Sequence, residues 1–78
     1  MMHNLLDTVA LTADHIEAGL RKGDVGAVVE VLDQDAYEVE FVAASGRTQA
    51  LITLSGSEVR ALGDRDLISV RSLAETDA

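Results

Sequence analysis

The stretch VGAVVEVLDQDAYEVEF, residues 25–41, decides the fold. Two apolar runs flank an acidic, turn-prone centre. Val25, Ala27, Val29 and Val31 alternate along the first run, and Tyr37, Val39 and Phe41 along the second. A period of two places such residues on one face of a strand. A short turn at Asp33, Gln34 and Asp35 folds the second run back on the first. The expected register sets Val31 opposite Tyr37, Val29 opposite Val39 and Ala27 opposite Phe41. A slip of one residue would break all three pairs at once. On the other face the same register sets Glu30 opposite Glu38, with Glu40 near Val28.

Glycines mark the borders of this hairpin. Gly23 follows Lys22 at the corner of a tight turn, where positive φ costs glycine little. Asp24 can accept hydrogen bonds from amides of that turn. Gly26 lies inside a strand pattern, which implies a bulge, a bend or the close approach of another backbone. A first strand is expected at residues 7–11, then a loop at 12–21 that turns Ile16 and Leu20 inward. A single helical turn over 13–18, capped by Thr12 and stopped by Gly19, is the alternative for that loop. Ala43, Ala44, Ser45 and Gly46 form the next turn. A strand over 48–54 carries Thr48, Ala50, Ile52 and Leu54 as its inward set. A 3₁₀ turn over 57–59 and a brief closing strand over 60–62 follow. Residues 66–73, with the strand-like "LISV", form an extra segment, and "AETDA" reads as a tail.

The chain has 78 residues, so a single domain is expected, with its core over about 7–62. A domain of this size holds roughly 4–12 kcal/mol of stability. Cysteine is absent, which excludes disulfides and thiolate metal sites. Fourteen acids against six Lys and Arg give a net charge of -8. The basic residues are scattered, so duplex nucleic acid is a poor partner for this surface. A cationic partner suits it, and plain solubility is the simpler reading. No apolar run reaches the roughly 20 residues of a membrane helix, and "MMHNLLDT" lacks the marks of a secretory signal. Cytoplasmic localisation is therefore expected.

Short β-rich runs between glycines indicate a small all-β domain. The order is strand, long loop, three tightly linked strands, 3₁₀ turn and closing strand. That is the order of an SH3-like barrel of about five strands, here with the extra C-terminal segment. "KGDVGAVVEV" is similar to the glycine-bearing start of a KOW-type domain, which implies RNA or ribosomal binding. A closer resemblance rests on Val9-Ala10-Leu11, Gly19-Leu20, Gly23-Asp24-Val25-Gly26, Tyr37-Glu38-Val39-Glu40-Phe41, Gly46-Arg47-Thr48 and Thr53-Leu54. Over roughly residues 8–60 the chain resembles a family of small bacterial proteins, DUF4926. Members commonly carry proline in the first loop, where this chain has Ile16. The resemblance implies a stand-alone SH3-like module without known catalytic residues. Its relatives are encoded beside toxin-like or uncharacterised partners, which implies an antitoxin or immunity role by analogy.

Catalytic and metal chemistry find little footing. His3 and His15 are the only histidines, and both read as solvated loop residues. A serine–histidine–acid set would need one of them beside a distant serine. Gly23-Asp24-Val25-Gly26 is no phosphate loop, since it leads into a strand and carries an acid. Tyr37 and Phe41, the only aromatics, read as core and not as a base-stacking platform. No cofactor is expected. The suggestive cluster is acidic: Glu30, Asp33, Asp35, Glu38 and Glu40, with Val28 and Leu32 for apolar contact. Directly opposed glutamates repel by up to about 1 kcal/mol, which a cationic partner would relieve. The expectation is a non-catalytic protein-interaction module using the outer face of the 25–42 hairpin. Homodimer pairing through an exposed edge, such as 66–73, is a further expectation. The alternatives are an RNA- or ribosome-associated module and an accessory subunit of an enzyme.

Overall fold

The computed structural model describes residues 2–73. Five strands form one antiparallel sheet: β1 (Thr8–Leu11), β2 (Val25–Asp33), β3 (Ala36–Val42), β4 (Thr48–Ser55) and β5 (Val59–Ala61). Their order across the sheet is β4-β3-β2-β1-β5. One 3₁₀ turn, Ile16–Ala18, stands in the first loop, and a second, Gly56–Glu58, links β4 to β5. The chain is thus all-β, with the expected sequence of elements.

The β2–β3 hairpin forms as expected, with Tyr37, Val39 and Phe41 all buried. Val31 pairs with Tyr37 and Glu30 with Glu38. The first half of β2 is shifted from the expected register. Val28 pairs with Val39 and Ala27 with Glu40, because Val29 is an extra residue between the Val28 and Glu30 pairs. Val28, not Val29, is therefore the fully buried valine. The cause lies at Gly26. A Cβ there would stand 2.8 Å from both the Glu40 carbonyl oxygen and the Phe41 ring. The glycine face must point inward to admit the ring, and the bulge restores the Glu30–Glu38 phase beyond it. Leu32 is a second extra residue, between the Val31 and Asp33 pairs.

Val9, Leu11, Leu20, Val28, Leu54 and Val59 close the core around the three hairpin residues. β1 is buried along Val9, Ala10 and Leu11 because β2 and β5 flank it. Gly23 and Gly46 adopt φ of 92° and 91°, as their turns require.

Several expectations are corrected. Ile16 is exposed, because the 3₁₀ turn points it outward; Leu20 alone of the loop pair is buried. Gly19 ends that turn in left-handed geometry, but Thr12 does not cap it: its hydroxyl donates to the Ser57 carbonyl at 2.9 Å. Thr48 is exposed, since a register shift between Phe41 and Val42 lets its hydroxyl donate to the Glu40 carboxylate at 2.6 Å. Residues 66–73 form no strand. Strand-forming residues without a ladder to join do not make a strand. Here Asp66 is pinned by Arg60 of β5 and Arg71 by Asp24 ahead of β2, so side-chain clasps and not a backbone ladder hold the segment. The proposed tail lies outside the described residues.

The histidines also differ from expectation. His3 is buried, its ring edge-on to Tyr37 with centroids 5.2 Å apart. Its amide donates to the Tyr37 hydroxyl at 3.2 Å, and Nε2 lies 3.3 Å from the Gly56 carbonyl. His15 is half-buried between Glu17 and Glu58, at 3.8 and 3.6 Å. A chain segment that looks polar and unstructured is thus packed by partners distant in sequence.

Candidate functional site

The outer face of β2, β3 and β4 carries most of the anticipated acids. Glu30 and Glu38 stand directly opposite each other, and Glu40 follows two residues along β3. Their positions derive from the inward demand of Tyr37, Val39 and Phe41, which leaves the alternate residues outside. Thr53 donates its hydroxyl to Glu38 at 3.1 Å, as Thr48 does to Glu40. None of the ion pairs among the described residues involves these three glutamates. Threonines hold the Glu38 and Glu40 carboxylates in place, and none of the three is neutralised by a basic side chain among the described residues.

The remaining anticipated residues divide. Leu32 is half-exposed as the bulged residue near the hairpin end. Asp33 takes the Gln34 amide at 2.7 Å and so shapes the turn. Asp35 accepts the Gly56 amide at 3.0 Å, tying the hairpin tip to the second 3₁₀ turn. Val28 leaves the surface altogether: it is fully buried against the core and offers no apolar contact to a partner. Its place is taken by Leu51 and Val42, 52% and 51% exposed, with Leu51 directly opposite Glu40. The alternation of β4 contained the signal for Leu51, since Ala50, Ile52 and Leu54 face inward and Leu51 must then face out.

Gly23 and Gly46 stand at positive φ, Gly26 stands where a Cβ would meet Phe41 and Glu40, and Asp24 lies between Gly23 and Gly26 at the start of β2. The Arg21 amide donates to Asp24 Oδ2 at 2.8 Å, closing the turn. No group of three or more His, Cys, Asp or Glu among the described residues could hold a metal ion. No helix among them is long and apolar enough to cross a membrane.

The acidic, threonine-braced face lies wholly on strands that a single family model covers. Described as Domain of unknown function (DUF4926), it matches residues 5–61. The chain belongs to this family. The DUF4926 match takes in all five strands and both 3₁₀ turns, and ends just before the segment that carries Asp66 and Arg71. No curated protein and no solved structure matches the chain.

Proposed function

We propose that this DUF4926 protein is a non-catalytic interaction module that docks a cationic protein partner on the outer face of β2, β3 and β4. Glu30, Glu38 and Glu40 supply the charge, and Leu32, Val42 and Leu51 supply apolar contact. The observation that carries this reading is the cross-strand pair Glu30–Glu38, like charges opposed on the outer face with no basic side chain among the described residues bonded to either. Such a pair lowers stability, and a Lys or Arg placed between its members removes the repulsion. Apolar residues interleaved with the acids add desolvated contact at the centre of the patch. An antitoxin or immunity protein of cytoplasmic location, bound to the product of an adjacent gene, is the sharpest form of this reading.

The test is capture of that adjacent product by tagged protein, wild type against Glu38→Lys/Glu40→Lys. Capture by the wild type and its loss in a folded double variant is the expected result. Equal capture by both would show that the partner docks elsewhere.

A further inference from the structure

At the turn before β2, beside a cleft that none of Glu30, Glu38 and Glu40 lines, Arg71 is seated as a ligand would be. Its Nε donates to Asp24 Oδ1 at 2.8 Å, and Nη2 to Asp24 Oδ2 at 2.5 Å. Nη2 also reaches the Gly19 carbonyl at 3.3 Å. Two parallel bonds to one carboxylate and a third to a carbonyl match the planar fork of a guanidinium and not the point charge of an ammonium.

The receiving side is built without Arg71. Asp24 is oriented by the Arg21 amide, and its own amide donates to the Arg21 carbonyl at 2.9 Å. Gly19 is fixed in left-handed geometry as the end of the first 3₁₀ turn. Beside them opens a cleft of about 530 Å³ walled by Leu20, Val25 and Phe41 on the sheet side and by Ile68 and Val70 on the other. Asp14 adds negative charge that Arg71 feels. Between the Arg60–Asp66 clasp and this anchor, the occupying segment is held weakly. It has no regular structure, and Leu67 and Val70 are 95% and 96% exposed, so it gains little from apolar burial. It also lies outside the family match, whereas the pocket that receives it lies inside.

We propose that Asp24 and the Gly19 carbonyl form an arginine-binding site, filled in this chain by its own Arg71, that accepts an arginine-bearing extended segment of a partner protein when the C-terminal segment lifts away. The C-terminal segment shows the ligand class directly: an arginine on a stretch without regular structure. The chain's own Arg71 competes with the incoming arginine, so the site is closed until the partner displaces it. This site stands or falls separately from the outer face.

The test uses a fluorescent peptide of sequence LISVRSL, titrated into full-length proteins. Arg71→Ala, its site vacated, binds the peptide saturably. Wild type binds on the order of tenfold more weakly, because its own Arg71 competes. Arg71→Ala/Asp24→Asn also loses binding, although asparagine keeps an oxygen for the Arg21 amide. The same peptide with citrulline for arginine, which keeps the shape and drops the charge, fails to bind Arg71→Ala. That arm needs no further protein variant and is immune to folding defects. Equal binding of the arginine and citrulline peptides, or no binding to Arg71→Ala, would overturn the proposal.

Discussion

At the scale of single residues, space and charge set the architecture. Gly26 leaves room for the Phe41 ring and the Glu40 carbonyl, each 2.8 Å from where a Cβ would stand. Gly26→Ala is therefore expected to destabilise the fold by about 1–3 kcal/mol, as overpacking of a filled core does. Urea unfolding measures this, and an unchanged midpoint would refute the fit. Asp66 gives a pH prediction. The Arg60 guanidinium, bonded to both carboxylate oxygens, and the Gly63 amide lower its pKa from 3.8 to about 2. A carboxylate with a depressed folded pKa stabilises the fold above its unfolded value, and that contribution is lost as pH falls through the folded value. The Arg60–Asp66 clasp is thus complete above about pH 4 and released near pH 2. Carboxyl-carbon NMR should place the Asp66 midpoint there and return it towards 3.8 in Arg60→Ala. Asp24 shifts the same way, held down chiefly by Arg71, so its clasp too opens only in acid.

At the scale of elements, the β2–β3 hairpin shows what was legible in the sequence. The burial of Tyr37, Val39 and Phe41, the Val31–Tyr37 pair and the Glu30–Glu38 opposition all follow from alternation and turn chemistry. The bulge at Val29 does not. Val28 and Val29 are identical neighbours, so either phase of the strand looks equally apolar, and only the steric demand of Gly26 against Phe41 selects one. Thr48 was misplaced for the same reason, a one-residue shift beside Val42. The structural use of His3 was hidden because its partners, Tyr37 and Gly56, lie 34 and 53 residues away. The opposed glutamates yield the prediction at this scale. Glu30→Thr should raise stability by up to about 1 kcal/mol, since it removes the repulsion and introduces a β-branched residue. Added salt should stabilise the wild type more than this variant, because only the wild type has the charge pair to screen. A variant less stable than wild type at low salt would mean that Glu30 has a favourable contact.

At the scale of the whole molecule, the chain carries a net charge of -8, and its described residues pack around one cluster of nine buried residues. Two guanidinium clasps, Arg60–Asp66 and Arg71–Asp24, hold the segment after the family-matched region against that body. They join residues 6 and 47 positions apart, and the second pairing lay beyond any local pattern. The body presents Glu30, Glu38 and Glu40 on the outer face of β2 and β3, and association of that face with a cationic partner should slow and weaken as salt rises. Amide chemical-shift mapping of the isotope-labelled chain, titrated with the adjacent gene's product, tests the central claim most directly. Perturbations concentrated at Glu30, Glu38, Glu40 and Leu51 are the predicted result. Perturbations absent from β2, β3 and β4, or confined to β1 and β5, would contradict it.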